Sequence, residues 1–332
     1  MNESTHRIIS RDRVRGALPW WAKGAVKLTL SKLPVSYGLL RRFSLARHGG
    51  MQKPAFALDA FRRHFDSATF HRKAGGFTTL ELGPGDSLFT ALTAWAHGGS
   101  STWLVDVAPF ASTDLAACRE MVEFLRGHGL VAPDLNGASS IESVLRACNA
   151  RYEVGGLSSL RAIPDHSIDF AFSNSVLQHV ALDEFDQTLA ELKRVLHPNG
   201  CCVHSIDLRD MLAQSLHHLR FSSRVWESRS FHHSGFYTNR LRLSQMLAAF
   251  QLAGFSTEVV EQNRWRELPL RREKLAAPYR EMTEDELLAA TVRIVCRPAR
   301  VGGEVARPGA QHVATSIAAT EEMDVAVPVD QT

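Results

Sequence analysis

The stretch Phe77-Thr78-Thr79-Leu80-Glu81-Leu82-Gly83-Pro84-Gly85-Asp86-Ser87 constrains this chain more than any other. An apolar run ends near an acid, breaks into two glycines, and leads into Leu88, Leu92 and Trp95 at helical spacing. That order reads as strand, tight turn, helix. Glycines at 83 and 85 allow a bend in which the main chain approaches a ligand closely, and the helix that follows turns unpaired N–H groups towards the same crevice. A dinucleotide-binding loop calls for a third glycine at the helix start, and Leu88 stands there instead. The turn therefore marks a cofactor pocket of another kind.

A second apolar run, Thr102-Trp103-Leu104-Val105, closes on Asp106 about twenty residues beyond the glycines, the offset at which an acid on the neighbouring strand reaches ribose hydroxyls. A carboxylate suits a vicinal diol because it accepts both O–H groups. The other reading of Asp106 is a strand-end acid that caps the next turn. Later runs at Ile168–Asn174, Cys201–Ile206, Gly254–Val260 and Ala290–Cys296 complete a strand-and-helix alternation. Helices are expected at Ala55–Phe65, Leu115–Leu125, Ile141–Cys148 and Asp183–Leu196.

The 332 residues suffice for one large α/β domain with additions. Five cysteines, odd in number and without paired metal spacing, point to reduced thiols and away from zinc, and no metal is expected. The net charge of +3 hides an asymmetry: residues 1–75 hold fifteen Lys/Arg against four Asp/Glu, a net +11. This basic segment contains Trp20, Trp21, Val26, Leu28 and Leu30 among Lys23, Lys27 and Lys32. Residues 17–33 read either as an interfacial helix that touches a membrane or as a cap whose lysines face water. Residues 1–16 are expected to be loosely ordered, and no run is long and apolar enough to span a bilayer. A cytoplasmic location follows as an expectation.

Glu81-Leu82-Gly83-Pro84-Gly85-Asp86-Ser87 resembles motif I of the class I S-adenosylmethionine-dependent methyltransferases, of the type 11 kind. The likeness continues through Pro164–Phe170 and Ser173–Val180, and through Arg194-Val195-Leu196-His197-Pro198-Asn199-Gly200, which is similar to the family's R-V-L-x-P-G-G turn. It covers roughly residues 77–297. The resemblance implies a doubly wound, seven-stranded, mostly parallel Rossmann-like sheet whose last strand inserts antiparallel beside the fifth. Residues 1–75 would form a helical N-terminal cap, 76–297 the methyltransferase domain, and 298–332 a disordered tail. The cofactor implied is S-adenosyl-L-methionine, held by Glu81, Gly83, Gly85, Asp86, Asp106, Gly156, Leu157, Ser173 and Asn174.

The interval 208–245, rich in Arg, His and aromatic residues, is expected to form a lid over a small or carbohydrate-like acceptor, or else an ordinary packed insert. O-methylation needs a base, and His179, His204 and Asp207 lie near strand ends. His204 and Asp207 point to opposite sides of an extended strand, so both serve one site only if the chain turns there. Two other readings stand beside this one: a methyltransferase of a lipid or lipid-linked acceptor at the membrane surface, and a noncatalytic S-adenosylmethionine-binding regulatory module. Nucleic acid is not an expected partner, since Ser173-Asn174-Ser175-Val176 replaces the Asn/Asp-Pro-Pro-Tyr type of base-methylating motif. The oligomeric state is left open.

Overall fold

The computed structural model describes residues 5–9, 19–30, 50–70 and 75–299. An eight-stranded sheet of order β1-β7-β8-β6-β5-β2-β3-β4 runs through the molecule. Its strands are β1 (Thr5–Ile9), β2 (Phe77–Leu82), β3 (Gly99–Val105), β4 (Ala150–Glu153), β5 (Ile168–Asn174), β6 (Leu196–Asp207), β7 (Phe255–Trp265) and β8 (Ala289–Pro298). β2 to β8 are the seven strands of the methyltransferase arrangement, with β8 antiparallel to both β6 and β7. β1 adds an eighth, parallel to β7 from Thr5 opposite Glu261 to Ile9 opposite Trp265. Residues 5–9 thus depart from the loose order expected of the N-terminus: the open edge of β7 supplies backbone partners that a short polar segment lacks alone. β4, with the sequence Ala-Arg-Tyr-Glu, carries no apolar run and so gave no strand signal.

β2 pairs with β3 on one side and β5 on the other, so the chain leaves β2 outward through β3 and β4 and returns across it. This reversal opens a crevice at the carboxyl ends of β2, β3 and β5, where open α/β sheets bind ligands. Helices α1 (Trp20–Leu30), α2 (Pro54–Ser67), α3 (Phe89–Ala96), α4 (Leu115–Gly127), α5 (Ile141–Ala147), α6 (Leu157–Arg161), α7 (Leu182–Val195) and α8 (Leu243–Leu252) surround the sheet. α7 has Asp183 and Glu184 in its first turn and Lys193 and Arg194 in its last, the placement the helix dipole favours. Phe185, Leu189 and Leu192 of α7, with Met246 and Phe250 of α8, pack on Leu80, Ala171, Cys202 and Ile206. On the other face, Phe61 and Phe65 of α2 pack on Phe77, Phe170, Phe172 and Val203.

The interval 208–245 is built around its own aromatic core: Leu212, Trp226, Phe236 and Tyr237 are buried, with Trp20 and Leu28 of α1 packed against them. Asp210 shapes its first loop by accepting hydrogen bonds from the amides of Leu212 (2.8 Å), Ala213 (2.6 Å), Ser215 (2.9 Å) and His217 (3.1 Å). Rings that the sequence offered for stacking on an acceptor are therefore largely spent on packing. α1 covers this insert, but Lys23 and Lys27 are half-buried against it rather than turned to water. The tail beyond Ala299 and the segment 31–49 lie outside the described residues.

Candidate active site

β2 and β3 end side by side, and the main-chain bend of one meets the carboxylate of the other. Gly83 and Gly85 have φ of +67° and +63°, and the Gly83 amide donates to the Val105 carbonyl (2.8 Å), extending the β2–β3 ladder into the turn. The Gly85 amide donates to Asp106 Oδ2 (3.0 Å), while Oδ1 accepts from the Val107 amide (2.7 Å). The close approach at Gly83 comes from Val176, just past β5: a Cβ at position 83 would lie 2.5 Å from Val176 Cγ2. Asp86 is buried in the same loop, and its carbonyl accepts from the Ser112 amide (2.9 Å), tying the bend to the segment after β3.

Glu81 sits beneath this bend, fully buried, and its Oε2 has no hydrogen-bond partner. Burial pushes its carboxyl up to about 8, the Thr90 hydroxyl opposes the shift, and nearby Asp106 adds to it. A carboxyl neutral at pH 7 and one acceptor short is poised to ionise when a cationic or hydrogen-donating group comes near. Across the crevice, Gly156 opens α6 with φ of +54° and donates its amide to the Asp106 carbonyl (2.8 Å). Beside Gly156 stands Val107, 72 % exposed, and a Cβ on Gly156 would lie 3.1 Å from Val107 Cγ1. Gly156, Leu157 and Val107 thus form a short apolar wall next to Asp106. Val107 was not singled out from sequence, although an apolar residue directly after a strand-end acid is the available signal.

The other side of the crevice is formed beyond β5. His179 is exposed on the turn Leu177–His179, and its Nδ1 is 2.7 Å from the Tyr237 carbonyl. A carbonyl only accepts, so Nδ1 carries the hydrogen and the lone pair of the neutral ring is on Nε2. The amide of Gln178 lies 3.4 Å from that Nε2. Asn239 clamps the same turn: its side-chain amide donates to the carbonyls of Leu177 (2.8 Å) and Val180 (3.1 Å), and its main-chain N–H to that of Gln178 (2.7 Å). Sequence gave no hint of this clamp, which joins residues some sixty positions apart.

The remaining candidates are placed differently. Ser173 and His204 are both fully buried beneath α8, with Ser173 Oγ 2.8 Å from His204 Nδ1 and the His204 ring 5.5 Å from that of Phe250. Burial holds His204 down to about 3, the nearby His64 adding to the effect. A sealed, neutral imidazole lacks the access that a base needs, so the pair contributes to packing. Asp207 stands at the end of β6 and accepts both Nε and Nη2 of Arg209 at 2.8 Å. That fork occupies both its oxygens. Asn174, half-buried at the tip of β5, is the residue of that strand nearest the crevice mouth. Among the described residues no cluster of His, Cys, Asp or Glu is arranged to hold a metal ion, and no helix is long and apolar enough to cross a membrane.

Residues 80–204 match the family model described as a methyltransferase domain. Over those residues the chain carries a methyltransferase domain. No curated protein sequence gives a significant match to it. Solved structures with a likeness include the YcgJ protein of Bacillus subtilis, at 15 % identity over 74 % of this chain and 99 % of that one, with a TM-score of 0.40. An S-adenosylmethionine-dependent methyltransferase of Mesorhizobium loti shares 19 % identity over 75 % and 98 % of the two chains, TM-score 0.38. Phosphoethanolamine N-methyltransferase 2 of Haemonchus contortus, solved with S-adenosyl-L-methionine, shares 14 % over 74 % and 53 %, TM-score 0.38. Likenesses this distant bear on neither acceptor nor reaction.

The methyltransferase domain fits its cofactor in two respects visible in its own residues. The orphaned Glu81 Oε2 lies under the bend, and the Asp106 carboxylate is held at the mouth of β3 by two amides. When bound, S-adenosylmethionine supplies an electrophilic methyl group on a sulfonium.

Proposed function

We propose that the domain methylates a hydroxyl oxygen of a small, carbohydrate-like acceptor, with His179 as the base. The observation that carries this reading is the fixed tautomer of His179, whose Nδ1 hydrogen is committed to the Tyr237 carbonyl. An alcohol holds its proton far above neutral pH, so its oxygen attacks well only if a base takes that proton as the bond forms. Nε2 of an exposed, clamped imidazole at the crevice mouth suits that task. An amine that arrives already deprotonated carries its own lone pair and needs no base as the bond forms.

In this reading the Gly83–Gly85 bend receives the cofactor against bare main chain, and Asp106 accepts the ribose hydroxyls. Gly156, Leu157 and Val107 line the adenine, while Glu81 and Asp86 set the charge beneath the bend. Asn174 and His179 flank the reacting end. The domain's main contribution is to hold nucleophile and methyl group a few ångströms apart, which accounts for much of the rate in such transfers. Ser173, His204 and Asp207 drop out of the reaction in favour of packing and the Arg209 fork.

A screen of S-adenosylhomocysteine release over sugars, phenols and amines tests the reading, run on wild type and His179→Gln. With a hydroxyl acceptor the variant transfers about a hundredfold more slowly or worse, and binds the cofactor as before. A variant that turns over at the wild-type rate would remove His179, and turnover on amines alone would remove the hydroxyl acceptor.

A further inference from the structure

Helix α1 turns its lysines inward, beside Trp20 and Leu28, and leaves an uncharged side facing out. Lys23 and Lys27 lie on the side facing the insert: Lys23 Nζ donates to the Leu212 carbonyl (3.4 Å), and burial lowers Lys27 below the ordinary lysine range. Trp20 and Gly24 share that inward side. The Trp20 ring stacks on His217 at 4.5 Å with 9° between the planes, the Arg220 guanidinium lies 4.9 Å from the centre of the same ring, and a Cβ on Gly24 would be 3.3 Å from Leu212 Cδ1. The outward side holds Trp21, Ala25, Val26 and Thr29, with no charge among them. Trp21 is 62 % exposed and Val26 50 %.

A helix laid over a water-soluble core turns its charges out and its apolar stripe in. Here the stripe that faces solvent is led by a tryptophan, the side chain best suited to a boundary between water and hydrocarbon. The insert exposes apolar side chains of its own. Met211 and Val225 are exposed next in sequence to Leu212 and Trp226, which belong to the buried cluster under α1, and Arg224 is exposed beside Val225.

We propose that this face docks on an anionic lipid surface. Charge complementarity selects that occupant: the chain on either side of α1, residues 10–18 and 31–49, holds seven Lys/Arg against one Asp, a net +6 tethered to the two ends of this helix, which an anionic bilayer attracts. A second copy of the chain fits less well, because pairing the faces would bring together two helices that each carry these basic flanks. Docking of this kind is independent of what His179 does and of which acceptor is used.

The test is flotation of the full-length protein with vesicles of equimolar phosphatidylcholine and phosphatidylglycerol, and with phosphatidylcholine alone. Wild type is expected to float with the anionic vesicles, less so as salt is raised, and a Trp21→Ser, Val26→Ser double variant to bind about tenfold more weakly or worse. Cofactor binding stays unchanged in that variant. A second measurement leaves the apolar face in place: brominated lipid quenches tryptophan emission in the wild type, and Trp21→Phe removes most of that quenching. Equal flotation of wild type and double variant, no preference for anionic vesicles, or unchanged quenching in Trp21→Phe would each overturn the proposal. So would a concentration-dependent dimer in sedimentation velocity that the double variant abolishes, since the face would then join two copies.

Discussion

Acid draws stability from this fold through two imidazoles on opposite faces of β6. His64, on α2, has Nδ1 2.7 Å from the Ala60 carbonyl and Nε2 2.9 Å from Ser205 Oγ, and burial holds it down to about 4. His204, under α8, is held down to about 3 by burial and by His64. Above the ordinary value of 6.5 both rings are neutral whether folded or not, and their full contribution is present. Below it the unfolded chain takes up protons that the folded one refuses, and stability falls until the folded rings themselves protonate. At about 1.4 kcal/mol per pH unit, each ring costs roughly 2 kcal/mol at pH 5, roughly 4 together.

Glu81 works the other way. It is neutral in the fold up to about 8 and ionises from 4.5 in the unfolded chain, so lowering the pH from 7 to 5 restores roughly 3 kcal/mol. The wild type alone therefore shows a small net change, and the informative quantity is a difference. Urea midpoints at pH 7 and pH 5 are compared for wild type, His64→Gln and His204→Asn. Each variant is expected to lose about 2 kcal/mol less than wild type between the two pH values, whatever its stability at pH 7. Variants that lose as much as wild type, within about 0.5 kcal/mol, would refute the assignment of these rings as buried and neutral.

The other predictions follow from contacts around the crevice. Asn239→Ala leaves the carbonyls of Leu177 and Val180 without their donor and loosens the turn that carries His179. Methyl transfer slows about tenfold or more and the pH–rate profile broadens, while cofactor affinity holds. An unchanged profile would reduce Asn239 to a purely structural residue. Gly83→Ala meets both a left-handed backbone and the Val176 side chain, and lowers stability by about 1–3 kcal/mol in a thermal melt. Adding Val176→Ala recovers part of that loss, because it relieves the contact but not the φ of Gly83; full recovery would show the backbone term to be absent.

Much of the fold was legible because its strands obey local rules. β2 and β5 fall where apolar and β-branched residues run out at Leu82 and Asn174, and α7 begins and ends on its own charges. The Gly83–Gly85 bend and Asp106 were readable for the same reason, since both depend on chain direction at the end of a strand. What escaped depends on pairing between distant segments. The Tyr237 carbonyl and Asn239 act on a turn sixty residues earlier, and neither residue type announces such a role. His204 is apolar in behaviour yet polar in name: only the packing of Phe250 over it separates a sealed ring from a strand-end base. β4 is too short and too polar to stand out. The insert was rich in rings and guanidinium groups, and composition alone does not tell a lid from a core; Trp226 and Arg240 are both buried in it, with Arg240 5.6 Å over the Trp226 ring. The direction of Lys23 and Lys27 likewise follows from where Leu212 and His217 sit, not from helical periodicity.

The whole reading requires that a cofactor span the tips of β2 and β3, with Asp106 accepting from it. Isothermal titration of S-adenosylmethionine against wild type and Asp106→Asn measures this directly, since asparagine keeps the shape and removes the charge. Losing its two charge-assisted hydrogen bonds to the cofactor predicts binding weaker by about a hundredfold, roughly 2.7 kcal/mol, in a variant that stays folded but melts somewhat lower, because the asparagine NH2 cannot accept from one of the two amides that Asp106 holds. Equal affinity in the two proteins would contradict it.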